Sequence, residues 1–270
     1  MDPLRVTVRR EDVVESVHRV HVVTTDGILH GDDLVCFLRS AAKPIQAVPL
    51  MGAYDDLDDD ELAIACASHQ AEPAQLDAVR KLLARAGATV ADLANGPQPG
   101  RPEGKLGHNC SGKHAGMLAA CRANGWPFAG YEEPEHPLQR GIHELIGGET
   151  AVDGCGLPTY ALPLGEQAAL LTRTPERIAA AMRSRPELVG GADADDTLLI
   201  QLLPGWIAKR GAEGLLCAAA PDGRGYAFKV EDGNGRALRP ALGAVLELEQ
   251  LARVEVRNSL GAVVGEIAAA

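Results

Sequence analysis

Aromatic residues, long apolar runs and clusters of basic residues are all scarce in this sequence of 270 residues. Because aromatics make up only 3% of the chain while apolar residues make up 46%, we expect a core of Ala, Leu, Val and Ile. No apolar run approaches the roughly 20 residues that span a bilayer. Met1–Arg10 also lacks the apolar segment of a secretory signal. We therefore expect a cytoplasmic protein with no membrane partner.

The charge balance argues against a nucleic-acid partner. The chain carries 26 basic and 37 acidic residues, a formal net charge of −11. An acidic surface repels the phosphate backbone, so we expect no nucleic-acid partner. The length predicts one domain over residues 1–270, which could consist of two lobes with the site between them.

Six cysteines do not form a disulfide framework in a chain of this size, and in a reducing compartment they are thiols or metal ligands. Four of them lie in apolar surroundings and read as small buried residues: Cys36, Cys66, Cys121 and Cys217. Cys110 and Cys155 lie among glycine and polar residues, so they need a different explanation.

Predicted strands lie at both ends of the chain, with helices between them. Val6–Arg10 and Val17–Thr24 have strand character, and so does Glu255–Ile267 near the C-terminus. The predicted helices between them include Glu61–Ala67, Pro73–Ala86, His114–Ala123, Pro137–Ile146 and Asp196–Arg210. This layout predicts an α+β fold, in which an antiparallel sheet formed from N- and C-terminal strands packs with helices.

Ser40-Ala41-Ala42-Lys43 is the first candidate for catalysis. A serine hydroxyl is a poor nucleophile until a base removes its proton. If Ser40 opens a helix, Lys43 lies one turn later on the same face, within reach of the hydroxyl. Burial would lower the pKa of the lysine and so suit it as a base near neutral pH. The alternative is that Ser40 caps a helix and Lys43 lies on the surface, since S-x-x-K is a common pattern.

A second serine and a second lysine have a similar double interpretation. Ser68 follows an apolar helix end and is either a second hydroxyl facing a pocket or part of an exposed cap. Lys229 lies on a late predicted strand that is followed by a turn. S-x-x-K hydrolases carry a second lysine at such a place, although lysine on an edge strand is also common.

Two loop segments, Gly107–His114 and Asp153–Pro158, surround the remaining cysteines with small and polar residues. Glycines beside Cys155 allow the backbone to approach another group closely. Two thiols with a nearby His or Lys would suffice for a tetrahedral zinc site, and plain loop thiols are the alternative.

Together these segments resemble the asparaginase II family, in its zinc-containing class 3 of rhizobial type, over essentially the whole chain. Five motifs carry the resemblance, in this order: Arg39-Ser40-Ala41-Ala42-Lys43-Pro44, Cys66-Ala67-Ser68-His69, His108-Asn109-Cys110-Ser111-Gly112-Lys113-His114, Asp153-Gly154-Cys155-Gly156-Leu157-Pro158 and Lys229-Val230-Glu231-Asp232-Gly233. The resemblance implies a fold similar to that of serine β-lactamases and penicillin-binding proteins, and it implies a homodimer.

The resemblance also implies a role for each site residue. It implies two serine–lysine pairs. Ser40 would be the nucleophile, with Lys43 as its base. Ser68 and Lys229 would form the second pair, which assists proton transfer. The Zn²⁺ ligands would be Cys110, Lys113 and Cys155, and a water would complete the tetrahedron. A lysine that binds zinc must be neutral, so the metal would have to lower its pKa strongly. The polar residues lining the substrate pocket would be Arg39, His114 and Asp153.

The expected reaction is hydrolysis of L-asparagine to L-aspartate and ammonia through an acyl-enzyme. One rival is a β-lactamase or peptidase of the S-x-x-K type, although neither S-D-N nor K-T-G is present. The other rival is a non-catalytic zinc- or ligand-binding protein, which would have no use for both serines and both lysines. The order in which the two serines act stays open at this point.

Overall fold

The computed structural model describes residues 1–270, which form two compact units. The first unit consists of Met1–Leu38, Leu162–Thr172 and Arg210–Ala270, and the second of Arg39–Ala161 and Arg173–Lys209. A single domain with its site between two lobes stays a prediction. None of the helices combines the length and the apolar character needed to cross a membrane.

The strands and helices are numbered in chain order. The strands are β1 (Leu4–Arg10), β2 (Val13–Thr24), β3 (Gly27–His30), β4 (Val35–Phe37), β5 (Glu149–Val152), β6 (Pro158–Pro163), β7 (Ile207–Arg210), β8 (Leu215–Ala219), β9 (Gly225–Val230), β10 (Arg253–Arg257) and β11 (Val263–Ala269). The α-helices are α1 (Lys43–Gln46), α2 (Val48–Ala53), α3 (Asp59–Ala65), α4 (Pro73–Ala86), α5 (Ser111–Asn124), α6 (Pro137–Ile146), α7 (Leu164–Thr172), α8 (Glu176–Ser184), α9 (Pro186–Gly190), α10 (Asp195–Leu202), α11 (Leu238–Val245) and α12 (Glu249–Ala252). The 3-10 helices are Arg39–Ala42, Val90–Asp92 and Gly235–Ala237.

The first unit contains an antiparallel sheet that joins the two ends of the chain. β1 pairs with β11, with Val6 opposite Ala269 and Val8 opposite Ile267. Its strands follow the order β10-β11-β1-β2-β9-β8, and β3 pairs with β2. The prediction of a mixed α and β fold with a sheet built from terminal strands is confirmed.

Both faces of the sheet are covered at the second half of β2. The four consecutive residues from Val20 to Val23 are all buried there, although neighbouring residues of a strand point to opposite faces. α7 packs on β2, β8 and β9, while α11 packs on β1, β9, β10 and β11. Gly225 permits the first of these contacts, since a Cβ there would lie 2.2 Å from the carbonyl oxygen of Ala168 in α7. A larger side chain at this position would push α7 away from the sheet.

The second unit is a group of helices with one hairpin, formed by β5 and β6. α5 lies at its centre, because every residue from Ser111 to Cys121 is buried. Gly112 allows α5 to approach α3 closely, since a Cβ there would lie 2.2 Å from the carbonyl oxygen of Ile64. The first turn of α5, which carries Lys113, is therefore held against the backbone of a neighbouring helix.

One predicted element is wrong. The sequence pattern predicts a single bent helix over Asp196–Arg210, but α10 ends at Leu202 and is followed by β7. Pro204 has no N–H to continue the helix, and it disfavours helical backbone at Leu203, which is extended with φ −116° and ψ 97°. Lys209 therefore lies on a strand.

Candidate active site

Ser40 lies in the 3-10 helix Arg39–Ala42, which continues directly into α1 at Lys43. Since residues i and i+3 eclipse in a 3-10 helix, Lys43 follows Ser40 by one turn, as predicted. Arg39 has a left-handed backbone with φ 48°, which is uncommon for a residue other than glycine and costs about 1 kcal/mol or more. Backbone strain therefore lies immediately before the candidate nucleophile.

Lys43 is fully buried, and hydrogen-bond acceptors surround its amine. Nζ donates to the carbonyl oxygen of Ala67, to Ser68 Oγ at 3.1 Å and to the carbonyl oxygen of Asn109 at 3.5 Å. Burial lowers the pKa of Lys43, and the Lys113 ammonium adds to this effect while nearby thiols oppose it. The alternative of a surface lysine is wrong. The serine hydrogen-bonded to this amine is Ser68, 25 residues away in sequence.

His69, next to Ser68, is a buried and neutral residue. Its Nδ1 accepts from the backbone N–H of Ala71 at 3.1 Å, so Nε2 carries the proton and donates to Ser111 Oγ at 2.8 Å. Burial lowers the pKa of His69 to about 3, and the charge of Lys43 acts in the same direction. The ring therefore links the loop before α4 to the first residue of α5.

Cys110, Lys113 and Cys155 form one buried cluster, with exposures of 5%, 3% and 4%. Lys113 Nζ donates to Cys155 Sγ at 3.3 Å. A hydrogen bond between the two thiols lowers the pKa of Cys110 and raises that of Cys155, which burial raises further. Burial disfavours the Lys113 ammonium, but the two sulfur atoms outweigh burial and raise its pKa. The structure thus brings together all three predicted zinc ligands.

The chemistry of this cluster fits zinc on one condition. Thiolates are common zinc ligands, and the site offers two. No group of three His, Cys, Asp or Glu side chains in the chain could hold a metal ion. A zinc ion at this cluster would therefore need the amine of Lys113 as its third protein donor, and that amine would have to lose its proton.

Arg39 and Asp153, two of the predicted pocket residues, form an ion pair. Arg39 Nε donates to Asp153 Oδ1 at 2.5 Å, and the backbone N–H of Gly154 donates to the same oxygen at 2.7 Å. The Asp153 side chain is 8% exposed, whereas that of Arg39 is 29% exposed. Part of the guanidinium thus stays accessible to an anionic group.

His114, the third predicted pocket residue, is oriented by a tyrosine that sequence reasoning missed. Tyr131 OH accepts from the backbone N–H of Ala94 at 2.9 Å, so it donates its own proton to His114 Nδ1 at 2.6 Å. Burial and the Lys113 ammonium hold the pKa of His114 well below its ordinary value. Nε2 therefore carries the remaining proton, and it has no hydrogen-bond partner. Tyr131 is one of four tyrosines in the chain, and no sequence pattern singled it out.

Lys229 lies in the first unit, on β9 between β2 and β8. Its Nζ donates at 2.6 Å to the carbonyl oxygens of Glu213 and Val230. The alternative of an edge-strand lysine is wrong, since β9 has a neighbour on each side. The pairing of Lys229 with Ser68 stays a prediction.

Lys209 is a second buried lysine that sequence reasoning missed. It is completely buried, and its Nζ donates to Asp196 Oδ2 at 2.7 Å. Burial raises the pKa of Cys66 to about 12, and the charges of Lys209 and Lys43 both oppose this rise. Both amines therefore lie near the segment that leads to Ser68. A lysine directly after the apolar run Trp206-Ile207-Ala208 was the signal, but the predicted helix obscured it.

A serine hydroxyl within hydrogen-bond reach of a buried amine is the arrangement of hydrolases that activate a hydroxyl with an adjacent base. The chain belongs to the L-asparaginase II family, whose model matches residues 6–268 of the 270. It is therefore an L-asparaginase, an enzyme of amide hydrolysis, and the family resemblance of the five motifs is confirmed. No curated protein matches the chain.

Proposed function

We propose that the protein hydrolyses L-asparagine to L-aspartate and ammonia, with Ser40 as nucleophile and Lys43 as its base. The observation that carries the proposal is the buried amine of Lys43, which lies one turn after Ser40. Because burial lowers the pKa of Lys43, its amine suits a base near neutral pH. Ser40 is partly exposed, whereas Ser68 is only 6% exposed. A substrate amide therefore has better access to Ser40.

The acceptors around Lys43 support a route for the proton. A neutral amine takes the proton of Ser40 while the hydroxyl oxygen bonds to the amide carbon. The resulting ammonium has three N–H groups, and three acceptors surround it: Ala67 O, Ser68 Oγ and Asn109 O. Ser68 then accepts a proton from Lys43 and gives its own to the leaving nitrogen, so ammonia departs as the C–N bond breaks. A water repeats the first step on the ester, which releases aspartate.

The pocket residues have roles that follow from their charges and protons. The partly exposed guanidinium of Arg39 would bind the substrate carboxylate, and Asp153 would hold that guanidinium in place. His114 would donate its Nε2–H to substrate oxygen, since Tyr131 occupies Nδ1. Lys229 would assist proton transfer with Ser68.

We further propose that Cys110, Lys113 and Cys155 hold a zinc ion. Zinc would supply a fixed positive charge that orients the substrate, while the proton transfers stay with the serines and lysines. Elemental analysis of the purified protein tests this. We expect Cys110→Ser and Cys155→Ser to lose zinc, and Cys217→Ser, a buried thiol of the first unit, to retain it. Equal zinc content in all three variants would contradict the assignment.

The finer fold assignment, similar to serine β-lactamases and penicillin-binding proteins, is also a proposal. A sheet built from both chain ends supports it, as does an S-x-x-K serine that opens a helical run. Lys209-Arg210-Gly211, which spans the last two residues of β7 and the residue after it, differs at one residue from the K-T-G pattern of those enzymes. The rhizobial class 3 type and the homodimer belong to the same proposal, and sedimentation analysis would test the dimer.

Ammonia release tests the reaction, with L-asparagine, L-glutamine and a chromogenic β-lactam as substrates. We expect ammonia from asparagine and no turnover of the β-lactam. Ser40→Ala and Lys43→Met should each lower the rate by about 10³-fold or more, because they remove the nucleophile and its base. The control Ser184→Ala, an exposed serine of α8, should keep the full rate. β-lactam hydrolysis without ammonia release would instead favour the S-x-x-K rival.

A further inference from the structure

A cavity that no step of the reaction uses lies in the second unit, between α6 and the β5–β6 hairpin. Its volume is about 290 Å³, at the lower end of the range for small-molecule pockets. Side chains of α6 and of both hairpin strands line it, among them Gln139, Arg140, Glu144, Thr150 and Tyr160.

The cavity and the Arg39 side of the hairpin lie on opposite faces of β6. Adjacent residues of a strand point to opposite faces. Thr159 faces Arg39, because its Oγ1 accepts from the Arg39 backbone N–H at 3.1 Å. Tyr160 therefore points the other way, beside its register partner Thr150, and its ring stacks on His143 with centroids 5.9 Å apart. The Tyr160 side chain, which lines the cavity, thus lies on the face of β6 opposite to Thr159.

Two residues that line this cavity each have a buried polar atom without a hydrogen-bond partner, namely Tyr160 OH and Gln139 Oε1. The two side chains are 0% and 1% exposed. Gln139 donates through Nε2 to the carbonyl oxygen of Tyr131 at 2.7 Å, so its Oε1 is an acceptor. Burial raises the pKa of Tyr160 to about 12, so its hydroxyl keeps its proton and is a donor. Together the two side chains offer one donor and one acceptor, which match the C=O and the NH₂ of a carboxamide.

Charges at the rim of the cavity match the other end of an amino acid. Arg140 and Glu144 are both exposed and lie four residues apart on α6, so they are neighbours on one helix face. The guanidinium is suited to a carboxylate and the glutamate to an ammonium group. The rim therefore offers both partners of a zwitterion.

We propose that this cavity is a second binding site, which takes a free α-amino acid with a side-chain carboxamide. The carboxamide would reach Tyr160 OH and Gln139 Oε1, and the α-carboxylate and α-ammonium groups would lie at Arg140 and Glu144. L-asparagine, which has this chemistry, is the probe for the site.

Equilibrium dialysis with radiolabelled L-asparagine tests the proposal, on a Ser40→Ala, Ser68→Ala protein that does not consume the probe. The test variant carries Tyr160→Phe in addition to the two serine substitutions. This third substitution removes only a hydroxyl without a partner, so folding should be unaffected. We expect it to weaken binding at this site about tenfold or more, because a buried hydrogen bond to the probe is lost. The control Tyr54→Phe removes a hydroxyl that donates to the Ala119 carbonyl oxygen, outside the cavity, and should leave binding unchanged.

The chemical class is tested by competition. L-leucine, similar in size but without the carboxamide, should not displace the Tyr160-dependent fraction of the probe, whereas unlabelled L-glutamine should. Equal binding by the Tyr160→Phe and Tyr54→Phe proteins would overturn the proposal and leave a cavity that holds only solvent. Displacement by L-leucine as effective as by L-glutamine would overturn the carboxamide assignment. Failure of Ser40 as nucleophile would appear separately, as ammonia release by the single variant Ser40→Ala.

Discussion

Three buried lysines, each with a different partner, define the chemistry of the second unit at the scale of single residues. Lys43 lies among carbonyl oxygens and a hydroxyl, Lys113 beside thiols, and Lys209 beside a carboxylate. A buried ammonium is costly unless a counter-charge compensates it. The pKa of Lys43 is therefore lowered while that of Lys113 is raised, and Lys43 is the better base.

The ion pair of Lys209 and Asp196 gives a prediction about stability. Both side chains are completely buried, so Lys209→Met should remove the positive charge that lies 2.7 Å from the Asp196 carboxylate. We expect the free energy of unfolding to fall by about 3–5 kcal/mol. Denaturant titration measures this, and the double variant Lys209→Met, Asp196→Asn should recover a large part of the loss. A single variant as stable as the wild type would show that the pair is not buried in solution.

His69 gives a prediction about pH. Its pKa is about 3 in the folded chain, against an ordinary value of 6.5. Below pH 6.5 the unfolded chain therefore binds a proton that the folded chain does not, so stability is present above that pH and is lost as the pH falls towards 3. Between pH 7 and 5, His69 alone should cost about 2 kcal/mol.

Denaturant titrations at both pH values check this contribution. Between pH 7 and 5, the free energy of unfolding of His69→Gln should fall by about 2 kcal/mol less than that of the wild type. His30, a less buried histidine, is the control, and His30→Gln should lose as much as the wild type. Parallel behaviour of wild type and His69→Gln would mean that His69 titrates normally.

Local sequence spacing predicted the candidate catalytic residues but not all of the partners that the structure gives them. The three-residue spacing of Ser40 and Lys43 defines a shared helix face, yet the hydroxyl that bonds to Lys43 belongs to Ser68. Contacts such as Tyr131 with His114 join different elements, and no periodicity in one element encodes them. The family resemblance supplied the set of Cys110, Lys113 and Cys155 as zinc ligands. Sequence spacing alone did not decide between a zinc site and plain loop thiols.

At the scale of elements, α5 contributes most to the candidate site, because Lys113 and His114 lie in its first turn. The sequence predicted this helix from His114 onward, and the structure begins it at Ser111. The predicted helix over Asp196–Arg210 was wrong, because an apolar run of this length suits a strand as well as a helix and Pro204 decides between them. The terminal strands were predictable because they are rich in Val and partly alternate between apolar and polar residues.

Gly112 gives a prediction at this scale. In Gly112→Ala the added methyl group would lie 2.2 Å from the Ile64 carbonyl oxygen, so α5 would have to move away from α3. We expect a loss of about 1–3 kcal/mol in thermal or denaturant unfolding. Gly141→Ala on α6 is the matched control, because nothing lies within 4 Å of its Cβ. There, alanine should stabilise by about 0.5–1 kcal/mol. Equal effects at the two positions would contradict the close approach of the helices.

At the scale of the whole molecule, the family match covers both compact units. The first unit joins the two chain ends in one sheet, and the second carries the candidate base, the thiol cluster and the pocket residues. The family match agrees with a small-molecule substrate as the partner, and the acidic net charge of −11 disfavours nucleic acid.

Mapping the acyl-enzyme tests the central claim most directly. The protein is mixed with L-asparagine, quenched in acid within the first turnover and digested, and the peptides are analysed by mass spectrometry. We predict an aspartyl ester on Ser40 that is absent from Ser40→Ala. An aspartyl ester on Ser68, or one that persists in Ser40→Ala, would contradict the assignment of Ser40 as the nucleophile.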